Sequence, residues 1–322
     1  MTRDSAAGSP TRVGYLGPAG TFTEQALLTQ PDLAAVTRGP FRTVPDVLDA
    51  VQGGDVQWGV IPIENSIEGM VNFTQDALVF DYELFIQREI VLDIRHALLA
   101  APGVRLSDIG VLASIPVATA QCHAWLRKEL RNVSVLPASS TAEAARMVGE
   151  RVAAGDTSWA AIAPATAASA HGLTVLADKI ADHESNQTRF VVVGKDTVPP
   201  RTGHDRTALV VYQRADEPGS LISILQEFAA RRINLSHLSS RPTKRGGLGD
   251  YCFVIYADGH LEDELLADAL RDLRAKQGAV KFLGSYPAAG AGAHTAREHA
   301  DARWREADDW LNALLSRVRR PN

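Results

Sequence analysis

Five consecutive residues past the middle of the chain combine side chains that could bind a small anionic molecule. They are Asn186, Gln187, Thr188, Arg189 and Phe190. An apolar run, Val191 to Gly194, follows them, so Arg189 is expected at the mouth of a buried strand. Because burial of an unpaired guanidinium costs free energy, Arg189 should have an anionic partner. That partner is either a bound carboxylate or a nearby side chain, Asp182 or Glu184, and the residues alone leave both open.

Turns that follow three apolar runs add further polar side chains. The candidates are Thr21 and Thr23, Asn65 and Ser66, and Ser114 with Gln121. A turn into a helix collects unpaired backbone N–H groups and the positive end of the helix dipole, which favours carboxylates. Each residue could equally be an ordinary helix cap, as Thr21 with Glu24 three residues later would be. As a set they predict a cleft that binds a carboxylate.

The elements that position these residues form an α/β pattern from Val13 to about Val193. Apolar runs alternate with Ala-rich helical segments, and a polar or proline-bearing turn follows each run. A helix is accordingly predicted after each turn, with residues 65–68 as a candidate helix cap and Pro116 in a first helical turn. The predicted buried strands are Val13–Leu16, Trp58–Ile61, Ile109–Leu112 and Trp159–Ile162.

A polar segment, residues 196–205, holds two prolines and a glycine and is the predicted linker to a second domain. The second domain has the order βαββαβ of a ferredoxin-like fold. Its predicted elements are a strand at 208–212, a helix at 219–231, a strand at 233–240, a hairpin at 243–249, a strand at 251–256, a helix at 262–276 and a strand at 280–284.

Both ends of the chain differ from these domains. Residues 1–11 are polar and small, which is typical of a disordered tail. A C-terminal helix is predicted beyond Pro287, and because an isolated helix is marginal in water it should pack on its own chain or on a second subunit. Its apolar face would contain Trp304, Ala307, Leu311, Leu314, Leu315 and Val318.

Composition favours an enzyme or sensor of small molecules. The 322 residues are 45% hydrophobic with a net charge of −5, and no basic block indicates nucleic acid or a lipid surface. Cys122 and Cys252 lie in apolar runs without ligand spacing, so two reduced, buried thiols and no metal site are expected. No segment is typical of a signal peptide or a membrane span, and we expect the protein in the cytoplasm.

The motifs, taken in order, resemble those of prephenate dehydratases. The matching segments are Tyr15–Thr23, Pro62–Gly69, Ser114–Pro116 with Ala120–Cys122, and Asn186–Phe190. Through the segments 218–221, 233–235, 240–242 and 284–287, the C-terminal part resembles the ACT regulatory domain of the same enzymes. The resemblance implies two α/β subdomains similar to type II periplasmic binding proteins, residues 12–95 plus 180–196 and residues 96–179, with the active site between them. An ACT domain, 206–287, and a tail, 288–322, would follow.

The resemblance also implies the reaction, in which prephenate loses carbon dioxide and its ring hydroxyl to give phenylpyruvate without a cofactor. Thr188 would donate to the leaving hydroxyl with help from neighbours, because an alkyl hydroxyl is a weak acid. Arg189 would hold the pyruvyl carboxylate. The implied catalytic residues are Thr188, Arg189, Ser114 and Gln121, and the implied substrate-binding residues are Thr21, Asn65, Ser66, Asn186 and Phe190. A relative that uses arogenate and a catalytically inactive sensor remain as alternatives.

For the ACT domain, the resemblance implies phenylalanine as effector, bound where two copies pair in a homodimer or homotetramer. The implied effector residues are Pro218, Gly219, Ser220, Leu221, Asn234, Ser240, Arg241 and Pro242. Ser220 stands where the family usually has alanine, and Ser239 where it usually has glutamate. Arg241 could equally be a structural loop residue, and the domain could serve pairing alone.

Overall fold

A computed structural model describes residues 12–183, 185–214, 217–243 and 250–289, with a few more between 306 and 317. The predicted N-terminal tail and most of the predicted C-terminal helix lie outside the described residues. The chain forms two compact units, one made of the residues up to 75 and 90–191, the other of residues 76–89 and those from 192 onward. Within the described ranges, no helix is long and apolar enough to cross a membrane.

The elements follow one another along the chain with short connections. The strands are β1 Arg12–Leu16, β2 Thr37–Phe41, β3 Trp58–Asn65, β4 Gly69–Met70, β5 Phe85–Asp93, β6 Ala97–Ala100, β7 Val111–Ser114, β8 Ser134–Pro137, β9 Trp159–Ala163, β10 Thr174–Ala177, β11 Gln187–Gly194, β12 Asp205–Tyr212, β13 Leu235–Pro242, β14 Tyr251–Asp258 and β15 Ala279–Pro287. The α-helices are α1 Phe22–Leu28, α2 Pro31–Ala34, α3 Val44–Gly53, α4 Asn72–Asp76, α5 Pro116–Gln121, α6 His123–Glu129, α7 Thr141–Ala153, α8 Ala167–Ala170, α9 Ser220–Ala229 and α10 Glu264–Lys276. A π-helical turn, Ala77–Asp81, and a 3₁₀ turn, Leu106–Asp108, complete them.

The first sheet has the order β2-β1-β3-β11-β5, with β4 paired to β3. β1 runs parallel to both β2 and β3, so all three strands end at the same edge of the sheet. Leu16 lies opposite Phe41, and the N–H of Gly17 donates to the carbonyl of Phe41 at 2.8 Å. A side chain on Gly17 would approach Pro40 Cβ to 2.6 Å, so this close contact requires glycine.

The second sheet has the order β10-β6-β9-β7-β8, and its strands lie between β5 and β11 in the sequence. Apolar side chains cover both faces, as expected for a sheet with helices on each side. On one face Leu99 packs with Val148 of α7. On the other, Leu98 and Ile162 pack with Cys122 and Leu126 from the α5–α6 region.

These two sheets confirm the predicted α/β class, with corrections at particular elements. The strand expected at 109–112 is β7, which is shifted to Val111–Ser114. The prediction that a helix starts at residues 65–68 is wrong. β3 continues to Asn65 and turns back into β4, which pairs Asn65 with Gly69. Gly69 has a φ of +81°, which a hairpin here requires and a helix start does not.

The ferredoxin-like domain is confirmed, with the order β12-α9-β13-β14-α10-β15 and the sheet β13-β14-β12-β15. Its core joins Leu209 and Ile255 of the sheet to Phe228 of α9 and Leu273 of α10. Of the predicted hairpin at 243–249, residues 244–249 lie outside the described residues.

Both cysteines are free and buried, as predicted. Burial, followed by the charge of Asp182, raises the pKa of Cys122 to about 12. Burial also raises the pKa of Cys252 to about 11. Neither thiol is therefore activated as a nucleophile.

Candidate active site

The turn between β3 and β4 sets the direction of a hydrogen-bond network. Asn65 Oδ1 accepts from the backbone N–H groups of Ile67 and Glu68, both at 3.0 Å. The amide group of Asn65 must therefore point its Nδ2 the other way, because only the oxygen can accept. That Nδ2 donates to Asn186 Oδ1 at 2.8 Å and to Thr188 Oγ1 at 2.9 Å. The backbone of one hairpin thus orients the side chain that holds Thr188.

The side-chain amides of Asn186 and Gln121 continue the network, and each has a fixed donor and acceptor side. Asn186 Nδ2 donates to Gln121 Oε1 at 2.9 Å, and Gln121 Nε2 donates to Glu68 Oε1 at 3.3 Å. Gln121 Oε1 also lies 3.0 Å from His96 Nε2, which must carry the hydrogen. Asn186 and Gln121 are buried, so reversal of either amide would leave unpaired polar atoms.

His96 is a neutral member of this network. It is buried and its ring lies edge-on to Phe22, with centroids 5.5 Å apart. Burial lowers the pKa of His96, and the hydrogen bond with Gln121 opposes this shift only in part. The imidazole therefore serves as an Nε2–H donor to Gln121 at neutral pH.

Thr188 contributes a hydroxyl group to this network. It lies at the start of β11, is partly exposed, and accepts from the Asn65 amide. Because its oxygen is the acceptor in that bond, its own hydrogen can be donated to a further oxygen.

A cavity of about 500 Å³ lies beside this network. Six of the predicted site residues line it: Thr21, Thr23, Asn65, Gln121, Thr188 and Phe190. Thr21 caps α1 as predicted, since its Oγ1 accepts from the N–H of Glu24 at 3.4 Å. Residues that the sequence did not point to also line the cavity: Arg42, His96, Ser139, Ser140 and Thr141.

Other predicted residues support the site without lining the cavity. Ser66 Oγ donates to the Ser185 carbonyl at 3.2 Å and accepts from the Gln187 N–H at 2.9 Å. These bonds join the β3–β4 turn to the start of β11. Ser114 is buried and donates to the carbonyl of Ile115 at 3.2 Å.

Arg189 has a carboxylate partner in the chain itself. Its Nε lies 2.9 Å from Glu64 Oε2, and it is not among the described residues that line the cavity. Among the described residues, Arg189 thus has a side-chain partner in Glu64, on a neighbouring strand 125 residues earlier, and not in Asp182. Glu184, the other predicted partner, lies outside the described residues. Asp182 instead accepts from the N–H groups of Ala124 and Trp125 at the start of α6.

A second cavity, of about 340 Å³, lies in the ferredoxin-like domain. Four of the predicted effector residues line it: Gly219, Ser220, Leu221 and Ser240. Gly219 has a φ of +93°, which explains a glycine just before α9. Ser220 Oγ donates to Gln213 Oε1 at 3.0 Å, so the Ser220 hydroxyl has a partner in the cavity wall.

The remaining predicted effector residues, Pro218, Asn234, Arg241 and Pro242, are not among the described residues that line this cavity. Asn234 Nδ2 donates to Asp258 Oδ2 at 2.7 Å. Arg241 forms an ion pair with Asp76, with Nε and Nη2 at 2.8 and 2.6 Å from Oδ1. The structural alternative for Arg241 is therefore the one seen within this chain.

The fold and the site together define a two-sheet α/β domain with a polar cleft, followed by a ferredoxin-like domain. Residues 13–198 match the family model of prephenate dehydratase, and residues 207–275 match that of the ACT domain. The prephenate dehydratase of Mycobacterium tuberculosis (strain H37Rv) is 40% identical over 306 residues, which cover 91% of this chain and 92% of the relative. The chain belongs to the prephenate dehydratase family, whose members are hydro-lyases.

Two solved structures are similar over most of their length. The prephenate dehydratase of Arthrobacter aurescens, solved in complex with L-Phe, has a TM-score of 0.79 and 41% identity, covering 95% of this chain and 100% of its own. GqqA, described as a quorum-quenching acylase, has a TM-score of 0.76 and 29% identity, covering 86% of this chain and 98% of its own.

Proposed function

We propose that the cavity beside Thr188 binds prephenate and converts it to phenylpyruvate, carbon dioxide and water. Family membership supports the reaction. The observation that supports the site is the direction of the Asn65 amide, which makes Thr188 an acceptor toward Asn65 and so leaves its own hydrogen for donation to a substrate.

The reaction needs little from the protein beyond orientation and one hydrogen bond. The bond between the ring and its carboxylate breaks, its electron pair enters the ring, and the carbon–oxygen bond to the hydroxyl breaks. Aromatisation supplies the driving force. Hydroxide must gain a proton, which comes from the solvent, to leave as water, and a positioned donor contributes about 10²–10⁴-fold to such a step. Thr188 is a hydrogen-bond donor in this role, because its hydroxyl is too weak an acid to give up its proton unaided.

Substitution at Thr188 tests the proposal. We expect Thr188→Ala to lower kcat by about 10²–10³-fold and Thr188→Ser, the matched control that keeps the hydroxyl, to retain most of it. Phenylpyruvate absorbance measures turnover, and circular dichroism checks the fold. Equal turnover by wild type and Thr188→Ala would remove Thr188 from the mechanism. The same assay with arogenate, compared through kcat/KM, distinguishes the two substrates.

The cavity gives no comparable support to acyl transfer, the kind of reaction that the description of GqqA as an acylase suggests. A hydroxyl nucleophile needs a base that takes its proton. Among the described residues, neither the Thr188 hydroxyl nor the Ser66 hydroxyl is hydrogen-bonded to a histidine or a carboxylate.

We propose further that the second cavity binds phenylalanine and that the ACT domain transmits this to activity. The L-Phe complex of the Arthrobacter aurescens relative supports the effector, and the cavity at the start of α9 supports the place. Ser240→Phe puts a large side chain into that cavity, so it should abolish the response of kcat or KM to added phenylalanine. Arg131→Gln, at an exposed position elsewhere, is the control. An unaltered response in Ser240→Phe would contradict this location.

We also propose that copies of the chain pair through the ACT domain as a homodimer or homotetramer. Sedimentation velocity on the full chain, with and without phenylalanine, measures the assembly. A monomer under all conditions would contradict the pairing.

A further inference from the structure

We infer that Arg42, rather than Arg189, holds the pyruvyl carboxylate of the substrate. This inference rests on the proposed function and adds to it the residue that binds one end of a dicarboxylate.

The charges around the cavity favour Arg42 as the group that binds the carboxylate. Prephenate brings two carboxylates, while Glu68 places a third negative charge in the wall. Among the described lining residues, Arg42 is the one with a permanent positive charge, since burial keeps His96 neutral. Arg189 is engaged by Glu64 and does not line the cavity. Among the described lining residues, a dianionic ligand in this cavity therefore meets one guanidinium, that of Arg42.

The position of Arg42 at the edge of the sheet also favours it as the group that binds the carboxylate. It directly follows β2, and the parallel register of β1 and β2 places it beside Gly17 at the edge where β3 also ends. Ligands of open α/β sheets bind at the carboxyl ends of the strands. Arg42 thus lies at the same edge as Asn65, which orients Thr188.

The backbone at Arg42 is held on both sides. Before it, the Phe41 carbonyl accepts from the Gly17 N–H at 2.8 Å. After it, Thr43 caps α3 through a reciprocal capping box with Asp46, at 3.2 and 3.0 Å. The exposed side chain is therefore anchored at its base, which limits the conformational entropy lost on binding.

The location of Arg42 also suits the chemistry. A cation that pairs tightly with the ring carboxylate would stabilise the charge that decarboxylation must disperse and would slow the reaction. An exposed guanidinium can instead hold the outer, pyruvyl carboxylate through two parallel hydrogen bonds. The ring carboxylate then lies toward the apolar part of the cavity, where Phe22, Met70, Val71 and Phe190 are found.

Steady-state kinetics on prephenate test the inference with Arg42→Gln, Arg42→Lys and the control Arg131→Gln. Hydrogen bonds to a charged group contribute enough for KM to rise about 10–100-fold in Arg42→Gln, with kcat changed by less than about threefold. Arg42→Lys should fall between wild type and Arg42→Gln, because it keeps the charge and loses the fork. Arg131→Gln should match wild type. The wild-type KM should also rise with salt from about 50 to 500 mM, and this dependence should weaken in Arg42→Gln.

The outcomes separate this inference from the proposed function. If wild type turns over prephenate and Arg42→Gln keeps its KM within about twofold while Arg189→Gln raises it, Arg189 is the anchor and the inference is overturned. If wild type neither binds nor turns over prephenate, the proposed function fails and the inference fails with it. A raised KM with a flattened salt dependence in Arg42→Gln supports the inference, because a merely structural loss would not change the salt response.

Discussion

Replacing Asn65 by aspartate tests the direction of the hydrogen-bond network with a change of one group. One carboxylate oxygen can still accept from the N–H groups of Ile67 and Glu68. The other then faces Asn186 Oδ1 and Thr188 Oγ1, where the amide of Asn65 donates at 2.8 and 2.9 Å. Asn186 is buried, so its oxygen loses its partner and meets a negative charge.

The expected losses follow from these contacts. An unsatisfied buried polar group costs about 1–3 kcal/mol, so Asn65→Asp should lower the free energy of unfolding by about that amount. The Thr188 hydroxyl should turn its hydrogen toward the new carboxylate and away from the substrate. The loss of a positioned donor lowers kcat by about 10²–10³-fold, as in Thr188→Ala. Combining Asn65→Asp with Thr188→Ala should add little to either single loss, because both remove the same donor.

Acidic pH should restore part of the activity of Asn65→Asp. Once protonated, the introduced carboxyl group can donate to Thr188 as the amide does. Turnover should be measured from about pH 5 to 8 for wild type, both single variants and the double variant. A kcat of Asn65→Asp within about threefold of wild type at neutral pH, or a double variant whose loss is the product of the single losses, refutes the reasoning.

Three other predictions concern buried or paired groups. Burial holds the pKa of His96 below its usual 6.5, so the unfolded chain binds a proton at this side chain more tightly than the folded chain does. The free energy of unfolding should therefore decrease as the pH falls below about 6.5. In urea titrations, His96→Gln should flatten that decrease. Cys122 and Cys252 should react with a thiol reagent at about pH 8 only after unfolding, and rapid reaction of the native chain would contradict their burial. Arg241→Gln should cost about 1 kcal/mol of stability through its pair with Asp76, and combining it with Asp76→Asn should cost less than the sum of the two single changes in thermal unfolding.

Elements with a strong apolar pattern were predictable from the sequence, and those without it were not. β1, β3 and β9 carry uninterrupted apolar runs, and their existence follows from that pattern. β2 reads Thr-Arg-Gly-Pro-Phe and is mostly exposed, so nothing marks it as a strand. Without β2, the end of that strand could not be located, and Arg42 could not be recognised as a residue at the edge of the sheet.

Ion-pair partners were less predictable than strands, because contacts across a sheet join residues that are distant in sequence. The side-chain partners predicted for Arg189 were Asp182 and Glu184. Among the described residues Arg189 pairs with Glu64 and not with Asp182, and Glu184 lies outside the described residues. Arg189 and Glu64 meet because β3 and β11 are neighbours in the sheet, and that strand order depends on the whole topology. His96 was overlooked for the same reason, since its contact with Gln121 needs both chain segments in place.

The error at residues 65–68 shows why a wrong element can still carry a correct chemical prediction. A helix cap and a tight hairpin both use a side-chain oxygen at one position to accept from backbone N–H groups two and three residues later. Asn65 does this toward Ile67 and Glu68, and the sequence alone does not distinguish the two structures. The function of Asn65 depends on the hydrogen bonds and not on the element, because they alone force its Nδ2 toward Thr188. A variant that keeps an accepting oxygen but removes the donor therefore probes the site, whereas one that only shortens the hairpin probes the fold.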